Sequence, residues 1–346
     1  MGALLLLPLL LQAFGTHYVR TADTCLLYVM LALGMNVVVG YAGLLDLGYV
    51  AFYAVGAYLC ALLASPHLTG QFAAIAALFP AGLHTPFGVI AALAAGVAAV
   101  LGVLLGVPTL RLRGDYLAIV TLGFGEIVRI FINNLGQPIN LTEGAKGLGQ
   151  IDPIHLFGLD LSQHLWLGGY EMSPVTLHYY LFLGLTVVAV IVCHRLQNSR
   201  IGRAWMAIRD DEVAARAMGI DTRRMKLLAF AIGAAFGGVA GALFATFQGF
   251  ISPEAFSLQE SVMIVAMVVF GGIGHLPGVI LGAVLLTAFP ELLRYVAGPL
   301  QAMTDGRLDA GIVRQLLIAL AMIVTMVWRP RGLWPLPDHG RQRPGA

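Results

Sequence analysis

The stretch RDDEVAARAMGI, at residues 209–220, is strongly charged, yet long apolar runs flank it on both sides. Of the 38 charged residues in the chain (20 basic and 18 acidic), 12 fall between Arg195 and Lys226. The whole chain of 346 residues is 59% hydrophobic and only 11% charged, whereas soluble domains carry about 25% charged residues. The composition therefore indicates a membrane domain that one charged loop interrupts.

Apolar runs on both sides of this loop predict an all-α, polytopic membrane protein that forms one domain over residues 1–346. A membrane span needs about 20 apolar residues, and the chain offers about ten candidates, of which the first is short. The predicted spans are 3–14, 22–40, 47–65, 84–107, 115–134, 177–194, 227–248, 258–274, 277–297 and 309–328. Glycine-rich runs such as GAAFGGVAGALFA (233–245) predict close packing between these helices.

Basic residues in the loops predict the orientation of the chain in the membrane. Cytoplasmic loops carry an excess of Lys and Arg. If the loop 195–226 is cytoplasmic, alternation of the spans places 14 of the 20 basic residues on that side. Both termini are then cytoplasmic, and the long loop 135–176 faces the periplasm.

The charged loop also carries the signals of a short capped helix. Asp210 or Asp211 is a good N-cap for a helix over 212–218, and Gly219 is well placed as its left-handed C-cap. Ala214 and Ala215 give the predicted helix a face without bulk.

Two interpretations of this helix remain open. Apolar side chains at Ile208 and Met218, about one turn from the two alanines, favour docking into a groove of another protein. A solvated loop with an incidental amphipathic helix explains the same residues equally well.

Several kinds of site are not expected in this chain. A nucleotide-binding P-loop needs the pattern GxxxxGK[ST], but the chain has only two lysines, and the residues after Lys146 and Lys226 do not complete it. The three cysteines lack metal-ligand spacing, and no nucleophile stands beside a matching base. The net charge of +2 does not favour a nucleic-acid partner. We therefore expect no cofactor, no metal, no ATP bound by this chain and no enzymatic activity.

Four segments resemble the branched-chain amino acid permeases of ABC importers, of the LivM type. They are GYAGLLDLGYVAFYAVGAY (40–58), LRLRGDYLAIVTLGFGEIVRIFINN (110–134), GRAWMAIRDDEVAARAMGIDTRRMKLLAF (202–230) and QGFISPEAFSLQESVMIVAMVVFGGIGHLPG (248–278). The third resembles the loop through which such permeases contact their ATPase. Val213, however, separates Glu212 from the paired alanines.

The resemblance implies a function and a set of partners. It implies import of leucine, isoleucine, valine or related hydrophobic amino acids across the bacterial inner membrane by alternating access. Two cytoplasmic ABC ATPase subunits would bind ATP and magnesium, beside a second homologous permease and a periplasmic substrate-binding protein. The residues implied in ATPase coupling are Arg209, Asp210, Glu212, Ala214, Ala215 and Gly219. A related branch of the superfamily carries urea or short amides, and the sequence leaves that alternative open.

Acidic residues near or inside the spans are the candidates for a substrate pathway, because buried charges in membranes usually face a polar path or the bundle interior. Asp46 lies in a glycine-rich turn and alternatively caps a helix from Leu47. Glu126 lies deep in its span, three residues before Arg129, a spacing that also predicts a structural ion pair. A buried hydrogen bond between helices explains Glu126 equally well. Ser257 and Glu260 have the spacing of a capping box, which predicts a local role for Glu260.

Two other classes of function remain as alternatives. An ATP-independent secondary transporter predicts titratable groups near the membrane midplane and inverted repeats, but deep charges are few and no repeat is visible. A membrane-embedded enzyme needs a paired nucleophile and base, which the sequence lacks. Dependence of uptake on an ion gradient would distinguish the first alternative from an importer.

Overall fold

The computed structural model describes residues 2–79, 83–109, 112, 114–136, 140–156, 159–161, 163–167, 170–303 and 332–334, with scattered residues between 316 and 328. Its helices are α1 (Gly2–Phe14), α2 (Thr16–Met35), α3 (Val50–Leu63), α4 (His67–Gln71), α5 (Ala73–Leu78), α6 (Phe87–Thr109), α7 (Asp115–Asn134), α8 (Pro174–Gln197), α9 (Arg200–Asp210), α10 (Glu212–Ala217), α11 (Thr222–Gln248), α12 (Leu258–Gly271) and α13 (Leu276–Met303). A π-helical segment, Asn36–Tyr41, continues α2. Short strands lie at Leu148–Gly149 (β1), His155–Leu156 (β2), Leu159–Asp160 (β3), Leu165–Leu167 (β4), Tyr170–Met172 (β5) and Phe250–Ile251 (β6).

Nine of the ten predicted spans coincide with helices of the described residues. Five helices are long and apolar enough to cross a membrane, and four further apolar helices are shorter. The all-α, polytopic fold class is thereby confirmed. The tenth predicted span, 309–328, lies largely outside the described residues.

The core is built around α2 and α11, which are the two most deeply buried of the long spans. Glycines bring their neighbours close: a Cβ on Gly56 of α3 would lie 2.6 Å from the Gly238 Cα of α11. Where α6 meets α11, a Cβ on Gly238 would lie 2.7 Å from the Ala98 Cβ. The glycine-rich runs therefore act as backbone contact surfaces, as predicted from their spacing.

Most of the chain between α2 and α3 is buried although it is not regular helix. After the π-helical segment, residues 42–49 pack against α7, where the Leu47 N–H donates to the Thr121 hydroxyl at 2.9 Å. Gly48 and Gly125 meet so closely that a Cβ on Gly125 would lie 3.3 Å from the Gly48 Cα. Helix α7 thus holds this irregular segment against the bundle.

The long loop 135–176 contains the five strands β1 to β5 in its described residues. Strands β2 and β3, and β4 and β5, form two antiparallel pairs within the loop, while β1 pairs with β6 after α11. The β1–β6 pair joins the loop to the end of α11, the helix that begins at the charged segment.

Two sequence predictions are wrong in detail. The span predicted from residue 22 begins earlier, at Thr16, because the polar stretch THYVRT (16–21) is already helical. The capping box of Ser257 and Glu260 is absent: the Ser257 side chain makes no capping bond. Instead, Glu260 accepts a hydrogen bond from the Tyr28 hydroxyl at 2.7 Å, so its role is a contact between α12 and α2.

Candidate coupling surface and substrate pathway

The charged segment forms three successive helices, each begun by a side-chain cap. Ser199 caps α9 by accepting from the Gly202 N–H at 3.1 Å. Asp211 caps α10 by accepting from Val213 and Ala214, and Asp221 caps α11. Of the two predicted caps for α10, the structure therefore uses Asp211, and Asp210 is the last residue of α9.

Helix α10 ends at the predicted glycine. Gly219 has a φ of 84°, a left-handed conformation that side chains disfavour. The turn lets the Ile220 N–H reach the Ala215 carbonyl at 3.1 Å, which satisfies a free carbonyl at the helix end. The predicted C-cap is confirmed.

Helix α9 is anchored to the bundle at two points. The fully buried Trp205 donates its indole N–H to the Met225 carbonyl in the first turn of α11, at 2.7 Å. Arg209 donates to the Gly40 carbonyl in the π-helical segment and lies against Gly43, where a Cβ would approach the Arg209 Cγ to 2.7 Å. Arg209 therefore connects the segment to the end of α2.

Helix α10 is anchored to α11 by an ion pair. The Glu212 carboxylate lies 2.7 Å from the Lys226 ammonium group and 3.0 Å from the Arg216 guanidinium. The Lys226 side chain is only 9% exposed and that of Glu212 is 25% exposed, so this pair is shielded from water far more than an ordinary surface ion pair. Glu212 thus positions α10 instead of projecting toward a partner.

The exposed face of α10 is apolar. Val213 and Met218 are 70% and 83% exposed, and Ala214 and Ala217 lie between them on the surface. The predicted bare face is corrected in one respect: Ala215 is buried, as is Ile208, so only Ala214 of the paired alanines faces outward. Helix α10 therefore presents a small flat surface, with the exposed side chain of Val213 at one end and that of Met218 at the other.

Asp46, one candidate for the pathway, is fully buried in the segment between α2 and α3. Its Oδ1 accepts from the Gly48 N–H at 2.8 Å, and its Oδ2 has no hydrogen-bond partner among the described residues. The predicted capping of a helix from Leu47 is wrong, because α3 begins at Val50. The carboxylate instead stabilises the turn that leads into α3.

Glu126, the second candidate, forms the predicted pair with Arg129. The Arg129 guanidinium lies 2.9 Å from the Glu126 carboxylate, and both side chains are about one-third exposed, at 37% and 31%. Most of the surface of α7 around the pair is apolar and exposed, including Ile127 and Ile130. Glu126 follows Gly125, which lies against Gly48, so the backbone at Glu126 is next to segment 42–49, while its side chain pairs with Arg129.

Sequence reasoning missed two polar features of the spans. Asp23 is fully buried in α2, and neither of its carboxylate oxygens has a hydrogen-bond partner among the described residues. Lys226 is buried at the start of α11, opposite Glu212. A lysine directly before an apolar run indicates a specific partner within the fold. The sequence position alone does not identify Glu212 as that partner.

Comparisons with known proteins place the chain in a family. The family described as "Branched-chain amino acid transport system / permease component" matches residues 18–326. The high-affinity branched-chain amino acid transport system permease protein LivM of Escherichia coli K12 is 43% identical over 330 residues, which cover 92% of this chain and 70% of that protein.

More distant relatives also align with most of the chain. The probable branched-chain amino acid transport permease protein LivM of Methanocaldococcus jannaschii is 27% identical over 335 residues, covering 89% of this chain and 90% of that protein. The permease protein LivH of the same E. coli system is 25% identical over 318 residues, covering 90% of this chain and 92% of that protein. No solved structure is a significant match. The chain therefore belongs to the branched-chain amino acid transport permease family, as a multi-pass membrane protein.

Proposed function

We propose that this chain is the membrane-spanning subunit of an ATP-driven importer for leucine, isoleucine, valine or related hydrophobic amino acids. Two cytoplasmic ABC ATPase subunits hydrolyse the ATP, and a periplasmic protein delivers the substrate. A second homologous permease completes the membrane part. Similarity of the chain to both LivM and LivH of one organism supports the last point, because that organism has two related permeases.

The observation that carries the proposal is the exposed apolar face of α10. An exposed apolar patch bordered by polar residues is typical of a protein-binding site and not of a solvated loop. The face combines Val213, Ala214, Ala217 and Met218 on a helix that is capped at both ends. We assign it as the surface that docks into a groove of the ATPase, with Ala214 at the closest approach.

Contacts behind this face couple it to the bundle. Glu212 and Lys226 join α10 to α11, Trp205 joins α9 to α11, and Arg209 joins α9 to α2. A displacement of α10 is thereby passed to the two helices that form the core. Alternating access follows if the closed ATPase pair binds one arrangement of these helices more tightly than the other; equal affinity for both would shift nothing.

We assign Asp46 and Glu126 to the substrate pathway. A charged pair at a lipid-facing position is costly, so the Glu126–Arg129 pair, about one-third exposed, is best accommodated against a polar path beside the second permease. Asp46 lies behind this surface with one unsatisfied carboxylate oxygen. Movement of segment 42–49 relative to α7 would expose that oxygen to a passing ammonium group.

The proposed orientation places the charged segment and both termini in the cytoplasm of a bacterial cell. The basic residues near the C-terminus, among them Arg329 and Arg331, lie outside the described residues, so their side follows from the positive-inside rule alone. A reporter fused after Arg331 should be active in the cytoplasm. Periplasmic activity of that reporter would overturn the orientation.

The first experiment is purification of the tagged chain from its native membranes in mild detergent, followed by mass spectrometry of the proteins that accompany it. We expect a P-loop ATPase and a second permease. Ala214→Glu should remove the ATPase and abolish uptake while the chain stays in the membrane, because it places a charge on the docking face. Ala214→Ser, which keeps the face flat, is the matched control and should behave as wild type.

Two outcomes would contradict the proposal. Retention of the ATPase by Ala214→Glu would remove the docking role of α10. Wild-type uptake that persists when ATP is depleted, but collapses with the ion gradient, would show a secondary transporter. Ala215→Glu shows for comparison what a folding defect looks like. Since Ala215 is buried, this variant should disorder α10 as well as remove the ATPase.

A further inference from the structure

A basic cavity of about 470 Å³ lies where α6 ends and α11 begins. On the side of the charged segment, the cavity is lined by Arg216, Thr222, Arg223 and Lys226. On the side of α6, it is lined by Val107. Since α6 and α11 are both membrane-spanning helices, the cavity opens at the surface of the membrane. Its volume lies within the range of small-ligand sites.

The charges around this cavity are not balanced. Among the described residues that line it, Glu212 is the only acidic one, and its carboxylate is already bound to Lys226 and Arg216. Arg223 is exposed and has no acidic partner within 4.0 Å among the described residues. Three cations thus face one carboxylate, which leaves an excess positive charge suited to an anion with several oxygens.

One wall of the cavity continues into an exposed apolar stripe on α6. Val100, Leu104 and Val107 are all exposed, and their spacings of four and three residues place them on one face of the helix. This stripe leads along the membrane-spanning length of α6 to the mouth of the cavity. A ligand that fits both features carries a negative headgroup and an apolar chain.

The geometry points to a binding site for an anionic phospholipid. The headgroup phosphate lies among Arg223, Arg216 and Lys226, and an acyl chain lies along the stripe on α6. Basic pockets between spans at the membrane surface bind anionic headgroups in this way. Because Glu212 and Lys226 also position α10, a bound lipid stabilises the helix that docks the ATPase, and the lipid composition of the membrane thereby regulates transport.

Native mass spectrometry of the purified full-length chain, titrated with phosphatidylglycerol in detergent, tests the site directly and does not depend on uptake. We expect one retained phosphatidylglycerol, with phosphatidylcholine bound much more weakly. Arg223→Gln should weaken retention about fivefold, which corresponds to about 1 kcal/mol per basic residue at a membrane surface. Arg224→Gln is the matched control, because Arg224 is the adjacent exposed arginine, pairs with Asp221 and does not line the cavity.

Three results would overturn the assignment: equal losses in the two variants, equal retention of phosphatidylcholine, or displacement of phosphatidylglycerol by equimolar glycerol 3-phosphate. The last result would show that the cavity recognises a soluble phosphate. Gel filtration and thermal unfolding of both variants confirm that they are folded. Loss of lipid retention with unchanged uptake would refute the regulation of transport by the lipid but leave the importer standing, so this test and that of the proposed function fail separately.

Discussion

Replacing Glu212 with Gln leaves the ammonium group of Lys226 without a charged partner and changes the side-chain volume very little. A hydrogen bond to a charged group contributes about 1.5–3 kcal/mol, and breaking a fully buried pair costs about 3–5 kcal/mol. Because the Glu212 side chain is 25% exposed and that of Lys226 is 9% exposed, we expect a cost of about 2 kcal/mol. That cost favours detachment of α10 from α11 by a factor of about 30.

Hydrogen exchange of the backbone amides measures this detachment, since local opening sets the exchange rate. We expect residues 212–220 to exchange about 30 times faster in Glu212→Gln, while the amides of α2 stay protected. Arg224→Gln removes an exposed pair and should change exchange by no more than about twofold. Adding Lys226→Met to Glu212→Gln should restore most of the protection. Wild-type exchange in Glu212→Gln would refute the anchoring of α10 by this pair.

Two further predictions concern the spans. Gly56→Ala should destabilise the protein by about 1–3 kcal/mol in detergent thermal unfolding, because the new methyl group meets the backbone at Gly238. Gly96→Ala meets nothing within 4 Å and should be neutral or stabilising by up to about 1 kcal/mol; equal effects of the two would contradict the close packing of α3 on α11. Glu126→Gln should reduce uptake by reconstituted transporter without lowering the amount of protein in the membrane. If adding Arg129→Gln restores uptake, Glu126 is a structural partner of that arginine and not a residue of the pathway.

Hydropathy predicted the spans well, because a run of about 20 apolar residues is long enough to cross the membrane wherever it occurs in the chain. It misplaced the start of α2, where Arg20 and Asp23 interrupt the apolar pattern. Asp23 is buried by packing against other helices, which a window of hydropathy does not register. Sequence reasoning also missed the short helices between α3 and α6, which are α4 and α5, because their sequences are too brief to carry a period.

The caps of α10 were predictable because a cap acts on neighbours a few residues away. The outward face was not, since a helix of six residues is too short to carry a clear apolar period. Packing of α10 against α9 and α11 decides that Ala214 is exposed and Ala215 buried. Likewise, Glu260 has a local partner by sequence spacing, yet its carboxylate binds Tyr28, which lies 232 residues away in the chain.

The π-helical segment at the end of α2 holds an extra residue just before the chain enters segment 42–49. A π-turn holds one residue more than an α-turn, and each residue of an α-helix advances the chain by about 100° around its axis. Because the wider turn absorbs the extra residue, it spares segment 42–49 a rotation of that size, and deleting one residue within 36–41 would leave a regular α-turn with segment 42–49 in nearly the same orientation. The Gly40 carbonyl that accepts from Arg209 belongs to the π-turn itself, so a single-codon deletion here would release the charged segment from the end of α2 while the helices of the bundle keep their packing.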